Sequence, residues 1–337
     1  MNASTKITNE KGEDFGNPAQ TPSSHQFTLD DVPDLTGKVA LVTGGSEGIG
    51  YGTTWTFLRH NVHKLYLLCA SPEIVPGARE AIANELGQVA ADRTIWKHCD
   101  MADWKRVEQV AEEIKRDTHR LDILVNNAGR GVRTYQETEY GVDRHMAVNH
   151  FGLVVLTLGL LPLLEKTAEG GNTVRITVQA SNLHRSAPED TKFESLEELN
   201  RDLGPDSQFG RSKLAGILYA RWFARHVTEA GHPTLLMNAT HPGSLDTESK
   251  QDIHEPYPLA GYGMIDGMKP SKKSQLEGAV STVYAATVTG RSGQYINSPA
   301  VPEAGSDQAQ DEKLGDNLME LTRKVYEEKM REEPSPS

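Results

Sequence analysis

The chain has 337 residues, 37% of them hydrophobic, a length that suits one large α/β domain or two ordinary ones. Its 35 basic and 47 acidic side chains give a formal net charge of −12, and this acidic balance does not indicate a nucleic-acid partner. The longest apolar run, Phe151–Leu164, is too short to span a bilayer, and the polar N-terminus lacks a signal-peptide pattern. We therefore expect a cytoplasmic protein without a membrane span.

Short apolar segments alternate with longer helix-like segments along most of the chain. The predicted strands are Val39–Val42, Lys64–Leu68, Thr94–Lys97, Ile123–Val125, Val174–Val178, Thr234–Met237 and Gln294–Ile296. The predicted helices are Gly48–His60, Ala78–Leu86, Trp104–Arg116, Tyr140–Lys166, Gln208–Glu229 and Gln275–Ala286. This alternation predicts an α/β fold: a parallel, doubly wound Rossmann sheet of seven strands with helices on both faces.

The domain organisation follows from the two ends of the chain. Residues 1–30 are polar and aperiodic, which predicts a disordered tail, and residues 35–300 form the predicted Rossmann domain. Residues 301–337 are a C-terminal extension with one amphipathic helix, Asp311–Met330, which we expect to lie on the domain.

Cys69 and Cys99 each lie at the end of a predicted strand, so we expect two reduced, buried thiols. No Cys/His cluster has the spacing of metal ligands.

A glycine-rich turn, TGGSEGIG at Thr43–Gly50, follows the first predicted strand and opens a helix. In such a turn Gly44 lets the chain reverse, Gly48 lets the backbone approach a pyrophosphate, and Gly50 lets the helix pack closely on the sheet. The N-terminus of the helix then presents free N–H groups and the positive end of its dipole to the phosphates. The turn alone is weak evidence, since a tight strand–helix loop without a ligand explains it equally well.

The spacing Gly-x-x-x-Gly-x-Gly resembles that of the short-chain dehydrogenase/reductase family, and further motifs agree in order and spacing from about Leu35 to Ile296. The closest resemblance is to the retinol-dehydrogenase-like and WW-domain-oxidoreductase-like branch, as found in fungal chains. The supporting motifs are Asp100 in CDMAD, which corresponds to the aspartate beside the adenine, NNAG at Asn126–Gly129, Asn149 in NHFG, Ser181 in QASNLH, and PGSLDT at Pro242–Thr247.

This resemblance implies a nicotinamide cofactor that lies beyond the carboxyl ends of the strands. The residues expected to hold it are Thr43, Gly44, Ser46, Gly48, Ile49, Gly50, Ser71, Asp100, Asn126, Ala128, Gly129, Lys213, Pro242, Gly243 and Thr247.

The choice between NAD(H) and NADP(H) depends on the end of the second strand, where the chain reads LLCASPE. An acid there would bind the ribose 2′-hydroxyl and repel a 2′-phosphate, and neither Cys69 nor Ala70 supplies one. Many relatives have arginine where Ala70 stands. Ser71 can donate to a 2′-phosphate and Arg79 is a second candidate, whereas Glu47 would oppose that phosphate. On balance we favour NADP(H) over NAD(H).

The resemblance also implies a catalytic set from which one member is missing. In the family a tyrosine hydroxyl gives or takes a proton while a lysine four residues later binds the ribose and lowers the tyrosine pKa. A serine holds the carbonyl oxygen, and an asparagine orders water for a proton relay. This chain has Asn149, Ser181 and Lys213, but Phe209 occupies the tyrosine position. Singly, Lys213 could be a solvated lysine and Ser181 a strand-end cap.

Phe209 leaves three explanations open. The tyrosine was replaced to trap a bound ligand, the protein is a natural enzyme with another acid, or it binds cofactor without ordinary turnover. We favour the last two. The candidate substitute acids are Ser181, a water held by Lys213 and Asn149, and His184, whose ordinary pKa suits the task. Since a positioned acid contributes ~10²–10⁴-fold to rate, we expect impaired conventional reduction with cofactor binding retained.

The substrate side is described only in outline by the sequence. The segment Ser249–Pro270 has the composition of a lid with apolar anchors, and Ser186–Ser207 would form another wall, although either could be a surface loop. Both indicate a medium-sized, partly apolar alcohol, ketone or aldehyde, and a role in secondary metabolism is open. The competing hypothesis is a cofactor-binding regulatory or scaffold protein. A homodimer through the helices Tyr140–Lys166 and Gln208–Glu229 is open too, because the C-terminal extension could block that contact.

Overall fold

A computed structural model describes residues 26–243 and 272–331. Its sheet has the strand order β3-β2-β1-β4-β5-β6-β7-β8, in which β1 to β7 are parallel and β8 pairs antiparallel with β7. The strands are β1 (Val39–Thr43), β2 (Lys64–Cys69), β3 (Thr94–His98), β4 (Ile123–Asn126), β5 (Val174–Gln179), β6 (Leu235–His241), β7 (Tyr295–Asn297) and β8 (Val301–Glu303).

Helices cover both faces of this sheet, as the strand–helix alternation predicts. They are α1 (Gly48–Arg59), α2 (Val75–Leu86), α3 (Gln88–Ala91), α4 (Trp104–Asp117), α5 (Arg144–Met146), α6 (Gly152–Glu169), α7 (Leu196–Leu199), α8 (Pro205–Phe223), α9 (Lys272–Thr287), α10 (Asp307–Gln310) and α11 (Glu312–Arg331). One apolar core lies under α1, α2 and α9, and the other under α4, α6, α8 and α11. Every residue of β1 and β6 is buried, because these strands have helices on both sides.

The predicted count of seven strands is wrong, since the described part of the chain has eight in one sheet. The additional strand, Val301–Glu303, has only three residues, all exposed, with a proline in the middle. Such a strand has neither an apolar run nor an alternating pattern, and proline is tolerated there because the strand is at the edge of the sheet. The extension therefore contains a strand and a short helix, α10, besides the predicted amphipathic helix.

Two long helices differ from their predicted bounds. The segment predicted as one helix over Tyr140–Lys166 begins at Arg144 and contains a π-helical turn, Ala147–Phe151, before α6. The segment predicted over Gln208–Glu229 begins at Pro205 and ends in a second π-helical turn, Ala224–Thr228. Proline at the first position of α8 explains its earlier start, because its missing N–H and fixed φ suit that position.

The run Arg144–Glu169 is the one helix in the described residues that is long and apolar enough to cross a membrane. Its most apolar window is 78% buried inside the domain, so it is a core helix of this fold. α11 packs on α8, where Arg225 Nη2 donates to the carbonyl oxygen of Glu312 and to Asp316 Oδ1. The homodimer through these long helices stays a prediction.

Candidate active site

A cavity of about 340 Å³ opens at the carboxyl ends of the strands around β1. β1 lies between β2 and β4, so this is the point where the strand order reverses and where ligands bind in open α/β sheets. Seven of the predicted cofactor residues line it: Thr43, Gly44, Ser46, Ser71, Asp100, Ala128 and Gly129.

The glycine turn forms one wall of this cavity. Gly44 has φ +64° and Gly48 has φ +54°, conformations that side chains other than glycine rarely adopt. A Cβ on Gly50 would lie 2.0 Å from the carbonyl oxygen of Gly44, so α1 could not begin so close to the turn with any other residue. Gly48, Ile49 and Gly50 form the first turn of α1, whose N–H groups have no partner within the helix.

Thr43 and Asn126 hold the NNAG loop, which forms part of the cavity wall, from two sides. The Thr43 hydroxyl accepts hydrogen bonds from the backbone N–H groups of Asn127 (2.9 Å) and Ala128 (2.8 Å). Asn126 points to the opposite side, where its Nδ2 donates to Thr157 Oγ1 in α6 at 3.1 Å, and it does not line the cavity. Their geometry fixes the loop on which Ala128 and Gly129 lie.

Asp100 lines the cavity with both carboxylate oxygens engaged. One accepts from the backbone N–H of Ala102 (2.9 Å) and the other from Arg144 Nη2 (2.7 Å). Arg144 and Arg130 both line the cavity, and the sequence motifs indicated neither of them. Burial lowers the pKa of Arg130, and the neighbouring charge of Arg144 adds to this. Two guanidinium groups thus line the cavity together with two carboxylates, Asp100 and Glu47, and one of the guanidinium groups is paired with Asp100.

The end of β2 forms another part of the cavity wall. Cys69, Ala70 and Ser71 line the cavity there, and Glu47 lines it from the glycine turn. Arg79 is not among the residues that line the cavity, because it is turned towards Asp92, with Nη2 3.5 Å from Oδ1. Of the two residues considered as partners for a 2′-phosphate, only Ser71 is therefore on the cavity wall.

Lys213 is the buried charge of the site. Its side chain is 4% exposed, its Nζ donates to the carbonyl oxygen of Gln179 at 2.8 Å, and burial lowers its pKa to about 8. Nζ lies 5.4 Å from the centroid of the Phe209 ring, one helical turn earlier on α8. A Cβ on Gly129 would come within 3.3 Å of Nζ, so the glycine of the NNAG loop makes room for the ammonium.

Asn149 lies in the π-helical turn and ties three segments together. Its Oδ1 accepts from the backbone N–H of Arg130 at 2.6 Å, and its Nδ2 donates to the carbonyl oxygen of Arg130 and to Ser212 Oγ. Ser212 precedes Lys213 and donates in turn to the carbonyl oxygen of Phe209. Asn149 thereby links the NNAG loop to the helix that carries Phe209 and Lys213.

Ser181 follows β5 and caps a short 3₁₀-helix, Asn182–Ser186, whose Leu183 N–H donates to Ser181 Oγ at 3.2 Å. Phe209 is 2% exposed. A Cβ on Gly210 would lie 2.6 Å from the carbonyl oxygen of Leu183, so this glycine lets α8 bring Phe209 against the turn after Ser181. The helix that carries Phe209 and Lys213 therefore packs closely on the turn that follows Ser181.

His184 is a structural residue, which answers one of the open alternatives for the missing acid. Its ring is 1% exposed, Nδ1 lies 2.8 Å from the carbonyl oxygen of Ser181, and Nε2 accepts from the backbone N–H of Ser306 at 3.0 Å. Both ring nitrogens are thus occupied by backbone groups, and burial lowers the pKa. It has no free nitrogen with which to protonate a substrate.

Several predicted positions fall at the border of the described residues. Pro242 and Gly243 follow β6, and Gly243 has φ +88°. Thr247 and the predicted lid Ser249–Pro270 lie outside the described residues. The second predicted wall, Ser186–Ser207, contains α7 and the start of α8.

These residues fit a dinucleotide. Side-chain-free backbone surrounds the cavity at Gly44, Gly50 and Gly129, where a Cβ would meet neighbouring atoms at 3.2 Å or less. The N-terminus of α1 supplies positive potential for phosphates, and Arg130, unlike the Asp100-paired Arg144, adds a guanidinium without a carboxylate partner among the ion pairs of the described residues. The buried ammonium of Lys213 lies beside Gly129, where it can meet hydroxyl groups of a bound ligand.

Comparison with known proteins gives one consistent family. Residues 38–187 match the family described as short chain dehydrogenase. The chain is 56% identical over 329 residues to the oxidoreductase bli-4 of Neurospora crassa, named as mitochondrial, covering 96% of this chain and 80% of that protein. It is 30% identical to mouse retinol dehydrogenase 14 over 85% of each chain.

A solved structure named as a short chain dehydrogenase of Escherichia coli CFT073, complexed with NADPH, has the same fold. Its TM-score is 0.56 at 19% identity, and the match covers 78% of this chain and 98% of that one. The predicted fold class is therefore confirmed apart from the strand count. The expected cytoplasmic location is wrong, since it conflicts with the mitochondrial name of the Neurospora relative. The expectation was based on a test for a secretory signal, which does not test for mitochondrial import.

Proposed function

Because the chain belongs to the short-chain dehydrogenase/reductase family of NAD(P)-dependent oxidoreductases, we propose that it interconverts a carbonyl and an alcohol on a medium-sized, partly apolar substrate. Ser181 would hold the carbonyl oxygen, and Lys213 would bind the nicotinamide ribose. Asn149 would keep the NNAG loop and α8 in register around them. The amides of Gly48, Ile49 and Gly50 would face the diphosphate.

The observation that carries this proposal is the environment of Lys213. An ammonium that is 4% exposed is costly to bury, and here it donates one hydrogen bond within the described residues, to the carbonyl oxygen of Gln179. Gly129 lines the cavity and has no side chain between it and Nζ, 3.3 Å from where a Cβ would stand, whereas Lys213 itself is not among the residues that line the cavity. A structural lysine would instead be solvated or paired with a carboxylate, so this arrangement favours a ligand-binding role.

The chemistry divides between the cofactor and the chain. A bound nicotinamide supplies or accepts the hydride. The chain has to hold the carbonyl and deliver a proton to its oxygen, and Phe209 provides an aromatic ring without the hydroxyl for that step. We propose that conventional proton transfer is impaired for this reason, while cofactor binding is retained. The alternative, a cofactor-binding regulatory or scaffold protein, would use the same ammonium to hold the cofactor, so turnover is the property that separates the two.

The proposal is tested by substituting Phe209→Tyr and assaying a panel of ketones, aldehydes and alcohols with NADPH, NADH and their oxidised forms. The new hydroxyl would share the space beside the Lys213 ammonium, whose charge favours its ionised form. We expect kcat to rise ~10²–10⁴-fold, the usual contribution of a positioned acid, with cofactor affinity unchanged. Phe209→Leu, which alters packing without adding a hydroxyl, is the matched control. Tight dinucleotide binding with no turnover in either the original chain or Phe209→Tyr would contradict an oxidoreductase role.

We further propose that NADP(H) is preferred over NAD(H). The support is the absence of a carboxylate at the end of β2, where Cys69, Ala70 and Ser71 line the cavity, together with the hydroxyl of Ser71. Glu47 is the opposing charge. Removing it by Glu47→Gln should raise NADPH affinity about fivefold, as expected for about 1 kcal/mol between exposed charges, and leave NADH affinity unchanged. Calorimetric titrations with both dinucleotides measure this, and equal gains for both would contradict a 2′-phosphate site near Glu47.

A further inference from the structure

One buried imidazole joins the turn after Ser181 to the C-terminal extension. His184 Nδ1 lies 2.8 Å from the carbonyl oxygen of Ser181, and Nε2 lies 3.0 Å from the backbone nitrogen of Ser306. A carbonyl oxygen only accepts and a backbone N–H only donates, so the ring must be neutral with its proton on Nδ1. The edge of the Tyr295 ring, with centroids 5.2 Å apart, packs against it.

In the C-terminal extension, His184 contacts a hydrogen-bonded turn, Ala304–Ala309, which we name the C-terminal clasp. Gly305 has φ +80°, a backbone conformation that favours glycine, and it places the N–H of the next residue against the ring. Ser306 Oγ accepts from the Ala309 N–H at 3.2 Å and closes the turn. The clasp therefore has a defined shape, with one N–H aimed at the imidazole.

The clasp is also bound to α8, the helix that carries Phe209 and Lys213. Arg221 Nη2 donates to the carbonyl oxygen of Ala304 at 2.8 Å and Nη1 to that of Ala309 at 2.5 Å. Arg221 is half-buried, and this burial lowers the pKa of its guanidinium. The clasp thus contacts both α8 and the turn after Ser181, whose relative position determines the geometry of the candidate site.

We propose that the C-terminal clasp is part of the active-site framework and that His184 is a positioning residue that acts through Ser181. This inference rests on the proposed function of Ser181. The imidazole fixes the peptide of Ser181, and the Leu183 N–H fixes its hydroxyl, so a loosened clasp lets the hydroxyl move. Since a displacement of 1 Å can cost up to ~10²-fold in rate, we expect about a tenfold loss of kcat with the cofactor KM unchanged.

Ser306 offers a matched pair of variants for the test. Ser306→Pro suits the φ of −79° at this position, removes the N–H that His184 accepts, and puts the proline Cδ in the place of that hydrogen, so it separates the clasp from the ring. Ser306→Ala keeps that N–H, and both variants lose the hydroxyl that caps α10. The difference between them therefore reports the contact with His184. Urea unfolding identifies any general loss of stability.

The first readout is hydrogen exchange in residues 182–187, measured on the full chain without any substrate. We expect Ser306→Pro to accelerate exchange there about tenfold over Ser306→Ala, with exchange in β1 unchanged. His184→Asn is a second variant, because its shorter amide can still reach the Ser181 carbonyl but not Ser306. It should accelerate exchange in the clasp.

The second readout is turnover in a Phe209→Tyr background, where Ser306→Pro should lower kcat and leave the cofactor KM as it is in Ser306→Ala. Equal rates of hydrogen exchange in residues 182–187 of the two Ser306 variants would refute the proposed role of the clasp, whatever turnover they show. Faster exchange with unchanged kcat would refute the action through Ser181. Faster exchange in a protein that never turns over would sink the proposed function and the positioning role together, and would leave a structural clasp.

Discussion

Replacing Lys213 by methionine should stabilise the protein while weakening its hold on the cofactor. The side chain is 4% exposed, and burial lowers its pKa from 10.5 to about 8. Below pH 8 the lysine is protonated in both the folded and the unfolded chain, so the folded state carries the full cost of the buried charge. Between pH 8 and 10.5 the folded protein loses the proton first, and the cost disappears as pH rises.

The magnitude follows from the shift of about 2.5 pKa units. At 1.36 kcal/mol per unit, the buried ammonium costs the folded protein about 3 kcal/mol at neutral pH. Lys213→Met removes this cost and loses one hydrogen bond to the carbonyl oxygen of Gln179, worth about 1 kcal/mol. We therefore expect a net gain of about 2 kcal/mol in the free energy of unfolding at pH 7. The gain should shrink steadily between pH 8 and 10.5.

Urea unfolding of both proteins without cofactor, at several pH values from 7 to 10.5, measures this difference, and other titrating groups cancel in it. Lys166→Met, at an exposed position on α6, is the control and should show no such pH dependence. A Lys213→Met protein that is less stable at pH 7, or whose advantage does not change with pH, would refute the assignment of a strained buried ammonium.

Gly129→Ala should weaken dinucleotide binding about tenfold, since the new Cβ lies 3.3 Å from Lys213 Nζ and displaces a charged donor worth about 1.4 kcal/mol or more. Calorimetry checks this against Gly77→Ala, where the added methyl meets nothing within 4 Å, and equal affinities would count against the role of Gly129. Thr322→Val should cost 1–3 kcal/mol of stability, because it leaves the buried His150 Nε2 without its 2.7 Å partner. Thermal unfolding alongside Thr322→Ser, which keeps the hydroxyl, measures that cost, and equal losses in both would contradict it.

The sheet and the glycine turn were predictable because their residues carry local signals. β1 is five apolar or β-branched residues, VALVT, and it is followed at once by the spaced glycines of α1. Such patterns follow from burial on both faces and from backbone approach, which depend on neighbouring residues only. The order of the family motifs along the chain then indicated which strand ends meet.

What could not be predicted depends on contacts between distant segments. Arg144 reaches Asp100 across 44 positions, and nothing in its own surroundings in the sequence marks it as a cavity residue. The π-helical turn at Asn149 is invisible in the apolar periodicity, because the neighbouring residues remain buried. Likewise, the sequence around His184 is compatible with an acid, because the residue that occupies its second nitrogen, Ser306, lies 122 positions later.

The free-energy cost of burying the Lys213 ammonium should be offset when a bound cofactor supplies hydrogen-bond partners for it. At a saturating ligand concentration the two proteins differ in added stability by RT ln of the ratio of their dissociation constants, which is about 1.4 kcal/mol for each tenfold loss of affinity. If hydroxyl groups of the bound dinucleotide satisfy this ammonium, the original chain recovers its deficit on binding and Lys213→Met does not. The advantage of about 2 kcal/mol that Lys213→Met has at pH 7 without NADPH should therefore shrink at a saturating NADPH concentration, and it should reverse if the substitution weakens NADPH binding more than about 30-fold. An advantage of Lys213→Met that persists undiminished in saturating NADPH would show that the ammonium does not contact the cofactor.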